Sequence, residues 1–253
     1  MRLLTWNIQW GRGADGRVDL ERTVAAIRAA GEFDVICLQE VACNFPGLAG
    51  GAREDEPGHF AAAFPGHEAV FVAGMDVPDG AGGRARFGNL LLSRLPVGQG
   101  FRHLLPAPAD PAFPAMQRVC VEAVVSTARG PLRVLTTHLE YYSQRQRRAQ
   151  VEALRALQAE AAGQAAAPAA GKESNPAFAP WPRPASAVLC GDFNCEPDSP
   201  EHVLMQRPLG AGAPAWRDAW QLLAPGAPHA EAAWGARVPR FLDACVTGGW
   251  RAD

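Results

Sequence analysis

Short apolar runs dominate this sequence, and their number constrains the fold more than any other feature. Runs rich in Val, Leu and aromatic residues lie at 2–8, 34–39, 68–73, 88–93, 97–104, 117–126, 132–138, 186–191 and 241–247, bounded by Gly, Pro or Asp. That is the pattern of β-strands. Helical spacing is scarcer. Residues 19–30 place Leu20, Val24, Ile27 and Arg28 on one face, with Asp19 and Glu21 in the first turn. Residues 143–162 place Val151, Leu154 and Leu157 three apart, behind Ser143 as a helix cap. Shorter helices are expected at 200–206 and near 216–223. The strands are too many for a simple βαβ repeat, and the helices too many for a bare sandwich. The expectation is an α+β fold, a four-layer αββα sandwich in which two mainly antiparallel sheets pack face to face with helices outside. Residues 43–58 and 74–86 read as Gly-rich loops, and 163–184 as an Ala/Pro-rich surface loop. With no internal repeat and no linker, residues 1–253 read as a single domain.

Composition permits such a core and removes several function classes. Hydrophobic residues make up 48% of the chain and charged residues 20%, the balance of a globular protein. The net charge of −2 argues against a protein held mainly by a nucleic-acid backbone. Lys172 is the only lysine. The abundance of Arg, Ala, Gly and Pro together reads as a coding bias, so each arginine is judged by its position. Cys37, Cys120, Cys190 and Cys245 sit in apolar runs and no CxxC pair exists, which suits reduced, structural cysteines and a cytoplasmic location. No stretch of about 20 apolar residues is present, so no membrane insertion is expected.

Several strand runs end in polar residues that a core does not need. Leu3-Leu4-Thr5-Trp6 ends at Asn7, and Val35-Ile36-Cys37-Leu38-Gln39 ends at Glu40. Val134-Leu135-Thr136-Thr137 ends at His138, and Val188-Leu189-Cys190-Gly191 ends at Asp192-Phe193-Asn194. Each alone has an ordinary reading as a turn residue, a solvated strand end or a satisfied histidine. Function gathers where loops leave rigid strands. If these ends converge, they assemble carboxylates, amides and one imidazole. That set suits a hard cation such as Mg²⁺ bound by few protein ligands, and it does not suit structural zinc.

In these segments the chain resembles the endonuclease/exonuclease/phosphatase superfamily of DNase I-like, metal-dependent phosphoesterases. The matching segments are Thr5-Trp6-Asn7-Ile8-Gln9, Asp34 to Val41, Gly88 to Pro96, Thr137-His138-Leu139 and Gly191-Asp192-Phe193-Asn194, in the order and at the spacing of that family. The resemblance implies the same αββα sandwich and in-line attack of water on phosphorus. It implies Mg²⁺ as cofactor, with Mn²⁺ as a substitute, and a phosphoester substrate, nucleic acid being one candidate. By position, Glu40 matches the principal metal-binding glutamate and Asn7 the asparagine beside metal and phosphate. His138 matches the donor to phosphate oxygens. Asp192 matches the aspartate that orients water, and Asn194 its partner. Arg118, at the start of a strand, is a candidate phosphate holder. Arg84, Arg86 and Arg145 read more simply as surface arginines, and Asn89 as support for the adjacent glycine.

The pattern departs at its end. Phe241 to Val246 match a late strand of the family, with Asp243 as the aspartate that orients a terminal histidine. The Ser-Asp-His strand that would carry this histidine has no counterpart among Thr247 to Asp253. The sequence therefore leads to the expectation of a C-terminally incomplete domain with slow turnover. The alternative is a non-catalytic or impaired phosphate-binding relative.

Overall fold

Alternation along each strand decides which layer a side chain joins. In the computed structural model, strand β2 (Val35–Cys43) sends Val35 and Cys37 into the space between two sheets, and Ile36 and Leu38 toward helices. Both faces are buried, which is why this strand reads as an unbroken apolar run. The structure describes residues 1–172, 174–210, 212–226 and 243–247.

One sheet has the order β1-β2-β4-β3, built from β1 (Leu3–Asn7), β2, β3 (Glu68–Pro78) and β4 (Arg84–Ser93). The other has the order β5-β6-β7-β8-β10-β9. Its strands are β5 (Val97–Leu104), β6 (Val119–Thr127), β7 (Gly130–His138), β8 (Ala187–Asp192), β9 (Arg217–Asp218) and β10 (Asp243–Thr247). Pairing is antiparallel except for β1 with β2 and β7 with β8, which are parallel. The sheets meet through Val35, Cys37, Leu91, Val121, Val134 and Cys190. Helices α1 (Leu20–Ala30) and α2 (Glu56–Ala63) cover the outer face of the first sheet through Val24, Ile27 and Phe60. Helices α3 (Gln144–Ala166) and α4 (Pro200–Gln206) cover the second through Val151, Leu154 and Met205. Burying one such aliphatic side chain contributes roughly 1.5–3 kcal/mol. The αββα sandwich expected from the strand count is therefore the architecture. A short helix α5 (Ala219–Leu223) follows β9. Among the described residues no helix is long and apolar enough to cross a membrane.

Helix starts follow their caps. Ser143 accepts a backbone N–H of the first turn, as its position predicts, and Asp19, read as a first-turn residue, is instead the cap of α1 and accepts from Arg22 N. Two predicted loops are wrong in part. The 43–58 loop ends in α2, whose Pro57 and Gly58 resemble helix breakers. Proline is at home in a first turn, and the Asp55 side chain caps the helix by accepting from Gly58 N. The 74–86 loop is mostly a hairpin, because Asp79 accepts from Ala81 N and Gly83 N and closes the turn between β3 and β4. The 163–184 loop begins later than expected, after α3 ends at Ala166. Residues 248–253, on which the expectation of a missing terminal histidine rests, lie outside the described residues, as does the side chain of Asp243.

Glu56 opens α2 with a buried carboxyl. Its Oε2 accepts from Ala42 N at 2.8 Å, while Oε1 is buried without a hydrogen-bond partner. Burial pushes its pKa up from 4.5 to about 8, against the lowering effect of the Ala42 N–H. Between those values the folded state holds a proton that the unfolded chain has lost, so stability declines as pH rises from about 5 to 8. Urea unfolding in metal-free buffer should show that decline, and Glu56→Gln should flatten it.

Candidate active site

The two parallel pairs place the site. Parallel neighbours run toward the same sheet edge. The β1–β2 pairing stops at Asn7 opposite Gln39, although β2 itself does not end at Glu40 as its sequence suggested but runs on to Cys43. Strands β7 and β8 end together, where His138 stands opposite Asp192. Packing the sheets face to face brings the two edges into contact. Asn7 Nδ2 donates to Glu40 Oε1 at 2.9 Å and to Asp192 Oδ2 at 3.0 Å, joining strand ends from both sheets. The His138 imidazole lies 3.7 Å from Glu40 Oε1 and 3.9 Å from Asp192 Oδ2. The side chains of Glu40, His138 and Asp192 are all largely buried, at 17%, 8% and 13% exposure, so their mutual fields are weakly screened.

Local backbone geometry turns these groups toward one another. Glu40 occupies a β-bulge, where the register with β4 slips between Gln39 and Val41, and its φ is 57°. A non-glycine residue in the left-handed region is uncommon, and a bulge re-aims a side chain that regular alternation would point elsewhere. At the end of β8, Gly191 has φ 140°, and a Cβ there would stand 1.8 Å from Thr137 O. Only glycine lets β8 approach β7 this closely and deliver Asp192 beside His138. Asn194, also left-handed at φ 47°, donates its backbone N–H to Asp192 Oδ1 at 3.1 Å and its amide to Leu139 O at 2.8 Å. It thereby ties the two loop starts together.

Arg118 is buried at the same mouth, in a cavity lined also by Glu40, His138, Asn89, Phe87 and Met116. Its Nε donates to Glu140 Oε2 at 3.2 Å, and its Nη1 is buried without a hydrogen-bond partner. An unsatisfied guanidinium donor is costly unless an anion completes it. Arg84 and Arg86 instead pair with Asp76, and Arg145 donates to Ala109 O. Asn89, read from sequence as support for the adjacent glycine, instead donates to Val119 O at 2.9 Å and links the sheets.

Beneath the site lies a polar floor that the reading of strand ends missed. Buried Gln39 donates from Nε2 to Thr5 Oγ1 at 3.1 Å and to Thr136 Oγ1 at 2.8 Å, crossing from one sheet to the other. The signal was present as polar residues inside otherwise apolar strands. Gln39→Leu should cost about 1–3 kcal/mol in chemical denaturation, because both hydroxyls lose their partner in a dry interface.

Among the described residues, no group of three or more His, Cys, Asp or Glu side chains is arranged to hold a metal ion. The donors that do converge are the oxygens of Glu40 and Asp192 beside the Asn7 amide. That is a hard, sulfur-free set with few protein ligands, and it fits Mg²⁺ retaining most of its water. The cysteines Cys37, Cys43, Cys120, Cys190 and Cys195 are free thiols.

Comparison with known proteins agrees with this fold. The model of the Endonuclease/Exonuclease/phosphatase family matches residues 4–251. Among solved structures, an endonuclease/exonuclease/phosphatase from Beutenbergia cavernae DSM 12333 superposes with a TM-score of 0.59 at 23% identity, covering 87% of this chain and 55% of that one. This chain therefore spans little more than half the length of that relative. The human Nocturnin catalytic domain with bound sulfate gives 0.57 at 19% identity, covering 89% and 73% of the two chains. Truncated Caenorhabditis elegans TDP2 gives 0.57 at 17% identity, covering 98% and 83%. At these identities the likeness is one of fold. No curated protein matches the chain. The family match over nearly the whole length and the convergence of its strand-end residues lead to one conclusion: the chain belongs to the endonuclease/exonuclease/phosphatase family.

Proposed function

We propose that this protein is a Mg²⁺-dependent phosphoester hydrolase in which water attacks phosphorus in line. The observation that carries the reading is the Asn7 amide, which donates at once to Glu40 of one sheet and to Asp192 of the other, with His138 flanking both carboxylates. Glu40 would hold the ion, and Asn7, which the family pattern also assigns to it, would do so through Oδ1, the atom that here accepts from Gln9 N; Mn²⁺ would serve in place of Mg²⁺. When bound, the cation neutralises charge on the phosphate. His138 donates to a non-bridging oxygen. Asp192 accepts a proton from the attacking water and holds its lone pair toward phosphorus, while Asn194 fixes the Asp192 carboxylate. The free Nη1 of Arg118 supplies a second donor to the phosphate, with Glu140 anchoring the guanidinium from behind. Asp243, through its place in the family pattern, is assigned to orienting a general acid or base. Donors aimed at developing charge are each worth about 10²–10³ in rate.

The test is hydrolysis of a panel of phosphomonoesters and phosphodiesters, with Mg²⁺ or Mn²⁺ and with chelator. Metal-dependent product release is expected. Binding of a phosphodiester without product in any metal would favour a phosphate-binding relative instead.

A further inference from the structure

Helices α3 and α4 pack side by side on the second sheet. Arg155 of α3 donates from Nη1 to Met205 O at 3.0 Å and to Arg207 O at 2.6 Å, and from Nη2 to Pro208 O at 3.1 Å, which pins the end of α4. Leu154 and Met205 share one apolar cluster behind that clamp. At their first turns the two helices leave an open cavity of about 380 Å³, lined by Gln144, Arg145, Arg148, Pro200 and Glu201. It shares no residue with the cavity that holds Glu40, His138 and Arg118. The clamp and the core hold its walls, so it is preformed, and its volume is that of a small-molecule site.

Glu201 is the group in this cavity that the fold does not explain. It is only 3% exposed, yet its side chain has no hydrogen-bond or ion-pair partner among the described residues. An acid in a first turn suits the helix dipole from the surface, and that role needs no burial. A buried carboxylate without a donor is costly, and this one lines the cavity. Two cations line it as well. Arg145 uses Nη1 on Ala109 O at 2.9 Å, and Arg148 uses Nε on Glu152 Oε1 at 3.2 Å. Each guanidinium keeps further N–H groups without a partner among the described residues. Glu201 and Glu152 balance the two arginines, so the ligand that fits has no net charge but separates a positive from a negative group. We propose that the cavity binds a free α-amino acid with an apolar side chain. Its ammonium donates to Glu201, and such a charged donor offsets a buried carboxylate better than a neutral hydroxyl does. Its carboxylate accepts from Arg145 and Arg148, whose guanidinium forks match that group. Its side chain lies against Pro200 and the arginine methylenes.

The test is calorimetric titration of the full chain with four probes. L-leucine carries both charges, 4-methylpentanoate lacks the ammonium, 3-methylbutylamine lacks the carboxylate, and L-leucyl-L-leucine sets the two charges further apart. L-leucine should bind saturably. Either single-charge probe should bind about 10- to 150-fold more weakly, the worth of a charge-assisted hydrogen bond, and the dipeptide should also bind more weakly. Glu201→Gln, which keeps the shape of the side chain, should weaken L-leucine by a similar factor and leave 4-methylpentanoate unchanged. Arg148→Gln should weaken both, and melting curves of the variants control for folding. Absence of saturable L-leucine binding, equal binding of 4-methylpentanoate, or an affinity that Glu201→Gln leaves unchanged would overturn the proposal. So would tighter binding of the dipeptide, which would assign the cavity to a peptide.

Discussion

Glu40→Gln is expected to lower metal-dependent phosphoester turnover by at least about 10²–10³-fold while leaving the fold intact. The substitution keeps the shape of the side chain and its capacity to accept from Asn7 Nδ2. It removes the negative charge that the bulge aims at the junction of the two sheets. A neutral amide is a poor ligand for a hard cation. Glu40 is not fully buried and no core cluster includes it, so stability should change little. Because Asn7, His138 and Asp192 all face this carboxylate or its neighbour, losing the charge also loosens their arrangement. Steady-state kinetics across a Mg²⁺ titration, with circular dichroism as the control for folding, measures the effect. An unchanged rate would show that the convergence at Glu40 has no catalytic meaning.

Glu122→Ala should produce the largest loss of stability. Glu122 on β6 is fully buried and is the centre of a polar cluster on the outer face of the second sheet. Arg133 Nε donates to its Oε1 at 2.8 Å, Arg183 donates to both oxygens at 3.0 and 3.1 Å, and His103 Nε2 lies 2.8 Å from Oε2. The Arg183 guanidinium also stacks 4.3 Å above the Phe101 ring. Removing the carboxylate strands Arg133, which is wholly buried, and breaking a buried pair in this way costs about 3–5 kcal/mol. For a chain of this size the melting temperature should fall by about 6–20 °C. Burial alone would push the Glu122 pKa up. The hydrogen bonds from His103 and Arg183 and the charge of Arg133 outweigh it and hold the carboxyl well below the usual range. Its contribution is therefore present above the ordinary carboxylate pKa and lost as pH falls through the depressed value. Melting curves from pH 7 down to 3 should drop steeply for the wild type and less steeply for Glu122→Ala.

The same cluster shows where reading the sequence stops. Arg183 lies in the Ala/Pro-rich segment, where nothing local distinguishes it from its neighbours, and its partner is 61 residues away. Long-range ion pairs leave no periodic trace. Most of the site was legible because polarity changes abruptly there: Asn7, His138 and Asp192 each close an apolar strand, whereas Glu40 interrupts one that resumes at Val41, and the two parallel pairs then bring them together. The left-handed turn at Gln9 and Trp10 was not legible, since neither residue favours that conformation and the neighbouring strand ends impose it. Helix α2 escaped notice because Pro57 and Gly58 carry the same letters as a loop, and only the Asp55 cap distinguishes the two.

The central claim is that strand ends from two sheets act as one catalytic unit. A double-mutant cycle on Glu40→Gln and Asp192→Asn, read in kcat/KM for a metal-dependent phosphoester hydrolysis, tests it most directly. Residues that act together lose their function together, so the double variant should be about as slow as the slower single variant. Two losses that simply multiply, or single variants that turn over like the wild type, would contradict the claim.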